Sequence, residues 1–273
     1  MPSYVVVGAS RGLGYEWLRQ LSSDPTNTVI GLARTPKNVQ ERLATDKISN
    51  VHLIQGDMSD NASLIAAAEE AGKLTGGSLD YLIVNGVSVN YEEHFLSPTD
   101  YIGKEDLLTT SMLDSVKVNL IGVIFTINAF LPLVRKSSIK KITVISTGFA
   151  DRDLAEKSTI SFAVTYSSIK AALNVVVAKY AAELKGEGII FLALSPGVVD
   201  TSADKPKQST EMSPYVKEKV GIMMTDFKRI YPDWVAVPLT PTRSVEMQKG
   251  VIDEMTIEKT GAFLSHHGNK NWL

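Results

Sequence analysis

Short runs rich in Val, Ile and Leu recur along the chain with little polar alternation: Tyr4–Val7, Thr28–Leu32, Val51–Ile54, Tyr81–Val84, Ile142–Ile145 and Ile189–Ala193. Unbroken apolar runs of this length predict strands covered on both faces. Between them, Leu13–Leu21, Ala62–Ala71, Ser111–Leu131 and Tyr166–Leu184 have apolar residues at helical spacing, each stretch long enough for a crossover helix. This alternation predicts an α/β fold, a doubly wound parallel sheet (Rossmann-like) in a single domain over 1–273, with binding loops at the carboxyl ends of the strands. Two segments break the pattern, Val87–Asp106 and Thr201–Thr242. The second mixes Pro206, Pro214, Pro232, Pro238 and Pro241 with Met212, Met223, Met224, Phe227, Tyr231 and Trp234, and residues 201–242 are expected to form a substrate lid.

Charge and composition remove several function classes. The 28 basic residues against 30 acidic ones leave a net charge of −2, so no basic field exists to bind nucleic acid. The absence of Cys excludes a disulfide framework, a Cys-ligated zinc and a thiol nucleophile, and it fits a reducing, cytoplasmic setting. Met1-Pro2-Ser3 lacks the basic start of a signal peptide, and the short apolar run after it enters Gly8. Val118–Val134, the most apolar long stretch, is interrupted by Asn119, Asn128 and Pro132 and is too short for a membrane span, so no membrane partner is expected. His52, His94 and His266-His267 lack partners at metal-ligand spacing and are expected at the surface, with no metal site. Trp17 and Trp272 are expected to pack inside, and Trp234 to line an apolar pocket. The outer faces of Ser111–Leu131 and Tyr166–Leu184 leave a homo-oligomer open.

After the first strand comes Gly8-Ala9-Ser10-Arg11-Gly12-Leu13-Gly14, running into a predicted helix. Glycines there permit a tight turn and let backbone N–H groups approach a pyrophosphate at the positive end of the helix. The same residues spell G-x-S-x-G, the nucleophile elbow of an α/β-hydrolase using Ser10, with His266 or His267 as its base. That rival needs oxyanion donors from an earlier strand–helix loop, and seven residues precede Gly8. The second strand then ends at Arg34, about 20 residues past the last motif glycine, where an NAD site places an acid on the ribose 2′-OH. A guanidinium there, with Arg11 beside it, suits the 2′-phosphate of NADP(H) instead.

Tyr166-Ser167-Ser168-Ile169-Lys170 opens a helix, and i,i+4 spacing stacks phenol and ammonium on one face. A free phenol titrates near 10, too high for efficient proton exchange at neutral pH, and a nearby cation favours the phenolate. Tyr166 then becomes a general acid or base.

With these residues in place the chain resembles the short-chain dehydrogenase/reductase family over nearly its whole length. The matching features run in order: Gly8/Gly12/Gly14, Asp57, Asn85-Gly86, Asn119, Ser146-Thr147, Tyr166/Lys170, Pro196-Gly197 and Thr201. The resemblance implies that Asp57 lies by the adenine, that Asn85-Gly86 backs the cofactor, and that Lys170 holds the nicotinamide ribose and lowers the phenol pKa. It implies that Tyr166 donates the proton, that Asn119 supports a water-linked relay, and that Val199 and Thr201 contact the nicotinamide amide and phosphate region. Ser244–Met247 and the stretch from Thr260 to Trp272 resemble the carbonyl-reductase branch that includes Sniffer and C-factor. Together these imply NADPH-dependent reduction of a small-molecule ketone or aldehyde, or the reverse. A non-catalytic NADP-binding regulator is the other reading of the same fold.

The chain departs from the family pattern at three places. Val87 stands where the family has a small residue, so cofactor contact there is expected to shift. Counting from the strand favours Thr147 as the catalytic hydroxyl, whereas residue type favours Ser146, and the choice stays open. Phe149–Thr165 is longer than the usual connection, with Asp151, Arg152 and Asp153 read as a solvated loop or a rim of the substrate mouth.

Overall fold

The computed structural model describes residues 1–91, 93–202 and 213–273. Its centre is one seven-stranded sheet, all parallel: β1 (Ser3–Val7), β2 (Thr28–Ala33), β3 (Val51–Gln55), β4 (Tyr81–Val84), β5 (Lys141–Ile145), β6 (Ile190–Ser195) and β7 (Ala262–Ser265), in the order β3-β2-β1-β4-β5-β6-β7. Chain order reverses between β1 and β4, where Val5 lies between Ile30 and Leu82. A crevice at the carboxyl ends of those two strands is the binding position such a sheet offers.

Helices cover both faces. On one side α3 (Asn61–Leu74), α5 (Gly122–Val134) and α7 (Val164–Leu184) bury Leu64, Ile127, Phe130, Leu173 and Val177 against Val5, Leu82 and Phe191. On the other, α1 (Gly12–Leu21), α2 (Pro36–Thr45) and α9 (Pro241–Asp253) bury Trp17, Leu18, Leu43 and Val245 against Val6, Ile83 and Leu192. Burial on both faces explains why the strands read as continuous apolar runs. Both Trp17 and Trp272 are buried, as expected.

The helix predicted over Ser111–Leu131 is longer. α4 (Glu105–Val116) passes through a wider turn, Lys117–Ile121, into α5, with the Gly122 N–H donating to the Lys117 carbonyl five residues back. Among the described residues this continuous stretch, Glu105–Val134, is the one helix long and apolar enough to cross a membrane. Its residues Val123, Ile127, Phe130 and Val134 are buried in the sheet core, while 39% of its apolar window is buried in all and Leu113 and Ile121 are exposed.

The pattern of apolar positions missed α2, α9 and β7, which are short or mostly polar on their outer faces. It also treated 201–242 as irregular. Residues 203–212 lie outside those described, and with them Pro206 and Met212; most of the rest is a regular helix, α8 (Pro214–Ile230), started by Ser213 and Pro214. The insertion after Phe149 holds a short helix, α6 (Arg152–Lys157), capped by Asp151, which accepts the Leu154 N–H at 3.0 Å and is buried rather than solvated.

Candidate active site

The glycine turn is shaped by close backbone approach. Gly8 has φ +79°, and a Cβ there would lie 2.4 Å from the Gly86 Cα; at Gly14 it would lie 2.1 Å from the Gly8 carbonyl. Asn85 reinforces the contact, donating from Nδ2 to the Gly8 carbonyl at 3.2 Å, while its own N–H reaches Val7 at 3.1 Å. The two strand ends at the switch point are thus locked together. Arg11 stands at the start of α1 without capping the first turn, and Ser10 and Arg11 are exposed. Thr201 lies over Gly12, its methyl 3.4 Å from where a Cβ would be. A Gly-only turn, a helix start without a side-chain cap and two exposed arginines form a cradle that fits a dinucleotide phosphate.

After β3, Asp57 accepts from the Ser59 N–H and hydroxyl, both at 2.8 Å. The Ser59 backbone bond chiefly holds this carboxyl below the usual range, and the charges of Arg34 and Lys117 pull the same way. Exposed Arg34 is therefore near Asp57 at the rim expected for a 2′-phosphate. Val87 is half exposed, so its branched side chain is accommodated facing outward. Pro196-Gly197 leaves β6 through a turn with Gly197 at φ +81°. Beyond it Val199 pairs with Leu239, so the strand-end segment is held by the chain that follows α8.

The two hydroxyls after β5 part company. Ser146 is buried and donates to Asn174 Oδ1 at 2.7 Å, inside the fold. Thr147 faces Tyr166, and its hydroxyl pulls the phenol pKa down, though burial prevails and pushes it up to about 12. Lys170 is buried as well, donates from Nζ to the Ile145 carbonyl at 2.6 Å, and is drawn down to about 8 by desolvation. Without a bound cofactor, Thr147 rather than Lys170 is the neighbour that eases deprotonation of the phenol.

Asn119 sits in the wide turn between α4 and α5 and is buried. Its Nδ2 donates to the Ser88 carbonyl at 2.7 Å and to Ser115 Oγ at 2.9 Å, and its Oδ1 accepts the Ser88 N–H at 2.7 Å. The side chain clamps the loop after β4 beside the site.

Two expectations about histidines are corrected. His266 is buried, its ring 2.7 Å from where a Gly197 Cβ would stand, and desolvation pulls its pKa down to about 4. Ser10 follows β1 and His266 follows β7, four strands apart, or roughly 19 Å at about 4.8 Å per strand, too far for a shared proton. The elbow reading fails on that distance. His94 is half-buried, its ring edge-on to Tyr166 at 5.7 Å between centroids. Its position comes from the long loop after β4, whose His94 carbonyl accepts the Ala163 N–H at 2.8 Å just before α7.

Sequence reasoning also passed over Glu93, buried in that loop, and an aromatic series running outward from the tyrosine. Ring contacts link His94 to Phe95, Phe95 to Phe162, Phe162 to Phe149, Phe149 to Phe227 and Phe227 to Trp234. These residues come from three separate segments, and no periodic signal ties them together.

The family model for short chain dehydrogenase matches residues 3–212. The chain is 41% identical over 276 residues to the short-chain dehydrogenase/reductase AacuF of Aspergillus aculeatus, and 39% identical over 277 residues to the short chain dehydrogenase virK of Hypocrea virens, each pair matching over the full length of both chains. The fold is similar to NADPH-bound carbonyl reductase from chicken fatty liver, with TM-score 0.73, 24% identity and 98% of each chain covered. It is also similar to the carbonyl reductase Sniffer of D. melanogaster, with TM-score 0.75, 18% identity and 98% of each chain covered.

Proposed function

Because the chain belongs to the short-chain dehydrogenase family of oxidoreductases, we propose that it is an NADP(H)-dependent carbonyl reductase with Tyr166 as proton donor. The observation that carries this reading is the convergence of Thr147, Tyr166 and Lys170 at the carboxyl end of β5, two strands along the same sheet edge from the end of β1 that opens into the Gly8–Gly14 turn. The Gly turn and the start of α1 take the pyrophosphate, Arg11 and Arg34 take the 2′-phosphate, and Asp57 borders the adenine. Asn85-Gly86, Pro196-Gly197, Val199 and Thr201 wall the pocket toward the nicotinamide. Bound NADPH supplies the hydride. Thr147 donates to the substrate oxygen, Tyr166 protonates the alkoxide, and Lys170 holds the ribose hydroxyls and adds positive charge near the phenol. Asn119 keeps the loop after β4 in place around these groups. The raised phenol pKa suits this direction, since the proton donor stays loaded across the neutral range.

Ketone-dependent oxidation of NADPH tests the reading. Tyr166→Phe should abolish turnover while leaving NADPH affinity within about twofold. NADPH should bind roughly tenfold or more tightly than NADH, with Arg34→Asp narrowing the gap, as charge-assisted phosphate contacts of ~1.5–3 kcal/mol require. Turnover by Tyr166→Phe at the wild-type rate overturns the assignment.

A further inference from the structure

We infer that the substrate carries a hydroxyl group near its carbonyl and that Glu93 receives it; this rests on the carbonyl-reductase reading. Glu93 is 5% exposed, in the loop after β4. Its Oε2 accepts from the Thr165 hydroxyl at 2.9 Å and from the Tyr101 hydroxyl. Among the described residues no group donates to Oε1, and no cation pairs with the carboxyl. The second oxygen, Oε1, opens on the adjoining cavity rather than being sealed in the protein, so a donor on a ligand entering that cavity can reach it.

The side chain lines a cavity of about 290 Å³ that also reaches Ser88, Asn90, Ser111, Thr165 and Tyr166. Thr165 links the two ends of this site: its hydroxyl holds Glu93, and the next residue is the proton donor. A ligand whose carbonyl meets Tyr166 therefore places a neighbouring part of itself against Glu93. The volume lies at the lower end for ligand pockets, room for one ring and its carbonyl. Hydroxyls and one amide line the cavity together with Val89, Leu107 and a second carboxyl, Asp114. Because Glu93 already takes its two bonds from neutral hydroxyls, the donor assigned to it is a neutral hydroxyl, with a cation drawn by the two carboxyls as the rival that the test separates. The aromatic residues from Phe95 to Trp234 serve the remainder of the molecule. Glu93 thus sets which ketones are accepted and takes no part in the proton transfer.

The test compares acetophenone, its three ring-hydroxylated isomers, their methyl ethers and an aminomethyl analogue, with NADPH. At least one hydroxylated isomer should exceed acetophenone about tenfold or more in kcat/KM, and its methyl ether should lose that gain. Glu93→Gln should collapse the ratio between the hydroxylated isomer and acetophenone toward one. Equal kcat/KM for hydroxylated and parent ketones in the wild type overturns the inference without touching the carbonyl-reductase reading. So does an equal loss on both substrates in Glu93→Gln, which assigns the carboxyl to bracing Tyr101 and Thr165. Preference for the aminomethyl analogue overturns it by making the site cation-specific. No NADPH oxidation with any ketone in the set overturns both readings.

Discussion

Adjacent residues on extended backbone face opposite ways, so Ser146 and Thr147 cannot serve the same atom. Ser146 turns inward to Asn174 and Thr147 turns out to the phenol. Thr147→Val should therefore lower kcat by about 10²–10³, the ~2.7–4 kcal/mol of one lost donor at a developing oxyanion, with NADPH affinity nearly unchanged. Ser146→Ala should spare most turnover and cost about 1 kcal/mol of stability, read by urea unfolding. Lys170 makes a pH-dependent contribution. Burial takes it from 10.5 to about 8 in the folded chain, so below pH 8 folded and unfolded chains both carry the proton and the burial cost is present in full. Between about 8 and 10.5 the folded chain releases it first, and stability should rise with pH by an amount on the order of 3 kcal/mol. Tyr166 acts oppositely at higher pH: the unfolded phenol ionises near 10 and the folded one near 12, so stability falls across that window. Urea midpoints followed from pH 7.5 to 9.5 should climb in the wild type and stay flatter in Lys170→Met.

At the scale of elements, α8 is fastened to two loops that border the site. Tyr215 donates to Asp100 at 2.7 Å and to the Phe95 carbonyl at 3.0 Å, and Lys219 reaches Ser97 at 3.0 Å. At the other end Asp226, buried, accepts from the Thr159 N–H and hydroxyl and from Arg229, which also donates to the Lys157 carbonyl. Phe227 packs between Phe149 and Trp234. The exposed ion pairs add little, but the buried Asp226 bonds hold α8 to the α6 insertion. Asp226→Ala leaves the Thr159 N–H without its acceptor, so amide exchange across Pro214–Ile230 should accelerate about tenfold or more. Exchange in β1, β4 and β5 should not change; equal acceleration there would mean that α8 is part of the global folding unit rather than a separable cover.

Across the whole molecule, residues 270–272 brace the loop that follows β5. Trp272 stacks on Phe263 of β7 with centroids 4.4 Å apart, and its Cβ lies 2.9 Å from where a Gly148 Cβ would be. Lys270 approaches Asp151 at 3.6 Å on the same side. The edge strand and the segment after it therefore press on the residues immediately following Thr147. Trp272→Ala removes a buried indole and should cost about 3–5 kcal/mol. Because the lost contact borders Gly148, kcat should fall together with the urea midpoint; a variant destabilised by that much with unchanged kcat would show that the brace does not reach Thr147.

The six strands that read as apolar runs, the Gly8–Gly14 turn and the Tyr166/Lys170 spacing were determined by the sequence itself, because each depends on neighbours within a few residues: burial on both faces, backbone conformation, and one helical turn. Parallel pairing followed from the βαβ alternation, whereas the strand order β3-β2-β1-β4-β5-β6-β7 was decided by the tertiary structure. β7, α8 and α9 escaped, since a four-residue edge strand and half-polar helices have little periodic signal, although Ser213-Pro214 and Thr240-Pro241 are readable starts of α8 and α9. Only the tertiary structure decided that Thr147 and not Ser146 meets the phenol, that His266 lies under Gly197 four strands from Ser10, and that Glu93, Tyr101 and Thr165 converge beside Tyr166. Each of those outcomes depends on groups separated by tens of residues along the chain. Hydrogen-bond geometry and burial exist only once the sheet has brought those groups together.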